Sequence, residues 1–123
     1  MNIAASLLGL LACMCALGAD ANEPVLACNT KAISAAERPR YSELVQKIRL
    51  SLRGRRELPD GYVFQLAEKS ISLAEVAEWI RMERLCCPFL VFRLEIAGPP
   101  ADMELTLRGP SGTKTILEGA FQK

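Results

Sequence analysis

Residues 72–96 read SLAEVAEWIRMERLCCPFLVFRLEI, and within them a helical period gives way to a strand period at a vicinal cysteine pair. Ser72 followed three residues later by Glu75 forms a capping box, in which hydroxyl and carboxylate each satisfy an orphan amide of the first turn. Leu73, Val76, Ala77, Ile80 and Cys87 recur on one helical face, with Trp79, Met82 and Cys86 on the neighbouring one. That spacing points Cys87 at the core and Cys86 at its rim. Pro88 disfavours the α conformation at Cys87, so the helix is expected to stop at the pair. Leu90, Phe92, Leu94 and Ile96 then alternate with Val91, Arg93 and Glu95, the period of a strand with one buried face.

Downstream, Gly98-Pro99-Pro100-Ala101 makes a turn, and Met103, Leu105 and Leu107 alternate against Glu104, Thr106 and Arg108. Two alternating runs joined by a short Gly/Pro loop predict an antiparallel hairpin. A last helix is expected from about Thr113 to Phe121. Upstream, Leu58-Pro59-Asp60-Gly61 is a turn, and Tyr62, Phe64 and Leu66 mark another strand. A first long helix carries Tyr41, Leu44, Val45, Ile48 and Leu52 on one face. It opens at a second capping box, Ser34 to Glu37, with Pro39 moving the regular helix towards Arg38, and it ends at Gly54 after an arginine-rich tail suited to the negative helix end. Pro24 to Asn29 reads as a short first strand or extended arm carrying Cys28. The order is therefore β-α-β-α-β-β-α, an α+β fold in two layers, with helices on one face of a mixed or antiparallel sheet whose other face is polar.

Residues 3–19 carry no charge, and Ala19-Asp20-Ala21 follows them with a small-x-small pattern. This run is shorter than a membrane span and matches a signal-peptide core, so residues 1–21 are expected to be a signal peptide and residues 22–123 a single domain. Leu10-Leu11-Ala12-Cys13 also matches a lipobox, which would make Cys13 a lipidated residue, but cleavage there would fall within the apolar run. The expected location is periplasmic or secreted, with no stable membrane span after cleavage. Loss of Asp20 would change the formal charge from +1 to +2, too little to argue for nucleic acid.

The chain contains no histidine, which excludes Ser-His-Asp and Cys-His catalysis and the two-histidine zinc motif. Cleavage would leave Cys28, Cys86 and Cys87, an odd number for an oxidising compartment. Thiolates select soft ions such as Zn(II), Cu(I), Hg(II) or As(III) without help from imidazole. Glu83 stands three residues before Cys86 and four before Cys87, on the right surface to act as ligand or support. The candidate metal site is thus Cys28, Cys86, Cys87 and Glu83. The competing readings are a disulfide from Cys28 to Cys86 or Cys87 in a non-catalytic interaction domain with a protein partner, and inert packing of small core residues. Thiol catalysis is disfavoured because a helix C-terminus raises thiol pKa. Gly109 to Thr115 resembles a P-loop only superficially: Thr113 occupies the place of its second glycine. The pairs among Glu68, Glu75, Glu78 and Glu83 fit an ordinary solvated helix surface.

Leu58-Pro59-Asp60-Gly61-Tyr62, Glu83-Arg84-Leu85-Cys86-Cys87-Pro88-Phe89-Leu90, and Gly109-Pro110 with Gly112 and Lys114 together make the chain similar to a family of small bacterial proteins without an assigned activity. The likeness takes in Cys28-Asn29 and Ala32 to Arg38, and so covers nearly all of residues 22–123. It implies one compact domain with Cys28, Cys86 and Cys87 as a matched set, and it carries over no mechanism. Members of that family often have a histidine at the position of Tyr41, so a ligand supplied from there would be missing in this chain.

Overall fold

Four antiparallel strands, ordered β1-β2-β4-β3, carry three helices on one face in the computed structural model, which describes residues 26–99 and 101–122. The elements run α1 Arg38–Ser51, β1 Leu52–Leu58, β2 Gly61–Leu66, α2 Leu73–Cys86, β3 Val91–Glu95, β4 Met103–Arg108 and α3 Thr113–Ala120. The α+β class holds, and the sheet is wholly antiparallel. The signal-peptide expectation and Cys13 lie outside the described residues.

Two local expectations are corrected. Leu26–Asn29 is not a strand; it is an irregular arm leading into a 3-10 turn at Thr30–Ala32. Its backbone is satisfied elsewhere, since the Asn29 amide donates to the Cys86 carbonyl at 2.8 Å. Helix α1 ends at Ser51, and the arginine-rich run that follows is strand β1. It pairs with β2 through a two-residue connection, Leu58 facing Gly61, with a register irregularity between Leu52 and Gly54. Having one neighbour only, β1 is an edge, where charged side chains are tolerated and hinder pairing with another chain. Arg55 and Lys114 lie over the Tyr62 ring, 5.0 and 5.5 Å from its centroid.

Strands β2, β3 and β4 lie where their alternation places them, except that Ile96 falls beyond β3 and is exposed. In register, Phe64 faces Leu105 and Leu66 faces Met103 across β2 and β4, and Leu94 faces Leu105 across β3 and β4. This row packs against Leu44 and Ile48 of α1, Val76, Trp79 and Met82 of α2, and Leu117 of α3. Glu104 and Thr106 of β4 and Arg93 of β3 share the opposite face, which is the polar one. The Ser72–Glu75 capping box starts α2 as expected.

Helices α1 and α2 are also tied by charge. Arg40 donates to both carboxylate oxygens of Glu78 at 3.0 and 2.8 Å, Lys47 pairs with Glu75, and Arg81 reaches Glu37 at 2.7 Å. Glu75 and Glu78, expected to be merely solvated, are therefore bridged to α1. Exposed pairs of this kind contribute little each.

Candidate functional site: a thiol and carboxyl cluster at the end of α2

The last turn of α2 buries three groups that a surface helix would normally keep apart. Glu83, Cys86 and the cap residue Cys87 all lie inside, with Cys86 and Cys87 wholly inaccessible. The buried stripe runs Val76, Trp79, Met82, Glu83 and Cys86, a quarter-turn from the face that Leu73 and Ala77 suggested, and both of those are exposed. Cys86 is consequently core and not rim. Pro88 ends the helix as expected, with the Cys87 amide donating to the Glu83 carbonyl at 2.7 Å and the Leu90 amide returning to the Cys87 carbonyl at 3.1 Å.

The arm brings Cys28 to this turn. Its hold combines the Asn29–Cys86 backbone bond with Ile33, which is fully buried, and with Arg38 Nε donating to the Ile33 carbonyl at 3.1 Å. Cys28 is joined to Cys87 by a disulfide with a Cα–Cα separation of 4.7 Å, and Cys86 remains a free thiol. The ligand atoms of Cys28, Glu83, Cys86 and Cys87 all lie within 4.8 Å of one another. Of these residues Cys28 alone is exposed.

Glu83 links the sulfurs to α1. Its Oε1 lies 3.1 Å from Cys87 Sγ, and its Oε2 accepts a hydrogen bond from the Tyr41 hydroxyl at 2.7 Å. Burial pushes the Glu83 carboxyl up, and the Tyr41 hydrogen bond opposes this only in part. Burial, then the Glu83 charge, raises the Cys86 thiol; burial and Glu83 likewise raise Tyr41. All three shifts run towards the protonated form, as expected for acids taken out of water without a cation. A bound cation would reverse that preference.

All four residues singled out from the sequence therefore meet in one place. From the residue pattern Tyr41 was legible as part of an apolar helix face, and only the family resemblance marked its position as a candidate ligand site; a further sign was the need of a half-buried phenol for a hydrogen-bond partner. The disulfide decides what the cluster can do. While it is closed, only Cys86 and Glu83 offer free ligand atoms, too few to enclose a soft ion; opened, three sulfurs and one carboxylate become available.

The rest of the described surface offers less. A cleft of about 600 Å³ runs beside β1 and α3, lined by Arg53, Arg55, Phe64, Glu118 and Phe121 among others. Its arginines are engaged, Arg53 with Asp102 at 3.5 Å and Arg55 over Tyr62. The glycine-rich stretch from Gly109 forms the turn into α3, with Gly112 in the left-handed region at φ 95°. No described helix is long and apolar enough to cross a membrane. Comparison with protein-family models, curated proteins and solved structures gives no match to this chain.

Proposed function

We propose that this is a small exported protein that, in its reduced form, holds one soft metal or metalloid ion through the thiolates of Cys28, Cys86 and Cys87, with Glu83 in support. The observation that carries this reading is the convergence of those four ligand atoms within 4.8 Å. Zn(II), Cu(I), Hg(II) and As(III) all fit a thiolate-rich donor set. The negative end of the α2 dipole favours a cation at this place. The disulfide is then the closed, unloaded form, and export to an oxidising compartment supplies the conditions in which it persists. Glu83 and Tyr41 would orient the site from α1, as outer groups commonly do around a metal. No catalytic step is assigned.

Native mass spectrometry of the oxidised and the chemically reduced chain, each offered Hg(II) or arsenite, tests the reading. The reduced chain should take up one ion with loss of protons, and the oxidised chain none. Cys28→Ser, Cys86→Ser and Cys87→Ser should each weaken uptake; unchanged affinity in all three would overturn the proposal.

The Cys28–Cys87 bond itself favours a second reading, a disulfide-stabilised interaction domain with a protein partner. On that reading the reduced chain ignores soft ions, and loss of Cys28 or Cys87 lowers stability while loss of Cys86 does not.

A further inference from the structure

The disulfide has two chemically equivalent sulfurs in very different surroundings. Cys87 is wholly buried, its sulfur held against Glu83, whereas Cys28 sits on the exposed arm. A thiolate opens a disulfide by attacking one of its sulfurs and expelling the other, so access decides which sulfur is struck. Of the two bonded residues only Cys28 is exposed, so that is the side from which an external thiol meets the bond. The third sulfur, on Cys86, is unpaired and within 4.8 Å of both members of the bond.

We propose that Cys28 is the point at which small external thiols exchange with this disulfide, and that Cys86 is the internal thiol that resolves the resulting adduct. In the first step the external thiol ionises and its sulfur bonds to Cys28 Sγ. The Cys28–Cys87 bond breaks, and Cys87 leaves as a thiolate that takes up a proton. In the second step Cys86 gives up its proton and its sulfur attacks Cys28 Sγ, expelling the external thiolate, which recovers a proton. The sum moves the disulfide from Cys28–Cys87 to Cys28–Cys86, consumes no oxidant or reductant, and regenerates the external thiol.

Cys28 is the shared partner for a geometric reason. A bond between Cys86 and Cys87 would join residues whose Cα atoms are about 3.8 Å apart across a trans peptide, closer than the usual lower limit of roughly 4.4 Å for disulfides. It would also distort the turn that Cys86 and Cys87 close through their bonds to Asn29 and Glu83. Cys28, on an arm outside any helix or strand, can serve either neighbour. A molecule caught between the steps has the Cys86 and Cys87 thiols free, so the same exposed residue admits the reductant that opens the cluster.

The test uses the oxidised full chain and cysteamine as the external thiol. Acid quenching, alkylation of free thiols and tandem mass mapping of the peptide between Arg84 and Arg93 separate Cys86 from Cys87. In the wild type, cysteamine should be found on Cys28, and a Cys28–Cys86 bond should grow with time. In Cys86→Ser the Cys28 adduct should accumulate several-fold. Cysteamine on Cys87, or an unchanged Cys28–Cys87 bond after prolonged exchange, would overturn the inference. The wild-type mapping decides this even if the variant fails to fold. The metal reading stands apart, because chemically reduced protein can bind an ion whichever sulfur was attacked.

Discussion

Removing the Cys28–Cys87 bond should cost the domain about 4 kcal/mol. The bond closes a loop with a sequence separation of 59. The chain-entropy relation gives about 14 cal/mol/K for a loop of that size, or about 4 kcal/mol at room temperature. The clean comparison sets Cys86→Ser, which leaves a single possible disulfide among the described residues, against the Cys28→Ser/Cys86→Ser pair, which leaves none among them. Urea unfolding followed by Trp79 fluorescence should show the midpoint of the pair displaced downwards. Its slope should rise, because the unconstrained unfolded chain exposes more surface. A difference below about 1 kcal/mol, with hydrogen exchange accelerated only in residues 26–33, would refute the reasoning. The bond would then pin the arm alone, and the unfolded ensemble would already be compact around the α2 end.

Gly61→Ala should destabilise by about 3 kcal/mol in the same assay, since an added Cβ would stand 1.9 Å from the Leu107 carbonyl oxygen; a loss under half of that would mean β4 yields easily. Trp79→Phe should cost only about 1 kcal/mol against about 4 for Trp79→Ala, because the buried indole Nε1 has no partner to lose; equal losses would show that the nitrogen is satisfied. Glu75 is held down at about 2 by Lys47 first and the Ser72 amide second. A lowered folded-state value means stability that is present above the ordinary 4.5 and is lost as pH falls towards 2. Melting curves of Lys47→Met should therefore fall less steeply than wild type across that window, and parallel curves would contradict the assignment.

The parts of the fold that could be read directly were those in which one residue pattern had one use. Strands β3 and β4 alternate because one face meets the helices and the other is more open to water, and β2 keeps the same alternation of side chains although Val63 on its outer face is buried. The helix α2 announces its ends through Ser72 and Pro88. Strand β1 was hidden because an edge strand has little apolar surface to show: between Leu52 and Leu58 it offers arginines and a glycine, which on their own suit a frayed helix end equally well. The Cys28 arm misled in the opposite sense, its apolar residues suggesting a strand although its backbone partner is a helix carbonyl. At the site, thiol chemistry and the spacing of Glu83, Cys86 and Cys87 were sufficient to nominate four residues. Which cysteine pairs with Cys28 was not legible, because adjacent residues differ only by a rotation about the helix axis. That rotation was set by Trp79 and Met82 packing inward, displacing Leu73 and Ala77.

The sheet order has a consequence for how the molecule is assembled in time. Strand β4 lies in the middle of the sheet between β2 and β3, yet it is the last strand to be synthesised. Cys28, Cys86 and Cys87 all precede Leu105 and Leu107, which complete the core, in the chain. A chain whose last strand is not yet in place holds all three cysteines while its sheet lacks its centre, the stage at which incomplete packing leaves several arrangements open. A sulfur pairing made then is provisional. Its correction falls to whatever thiols the finished domain leaves within reach.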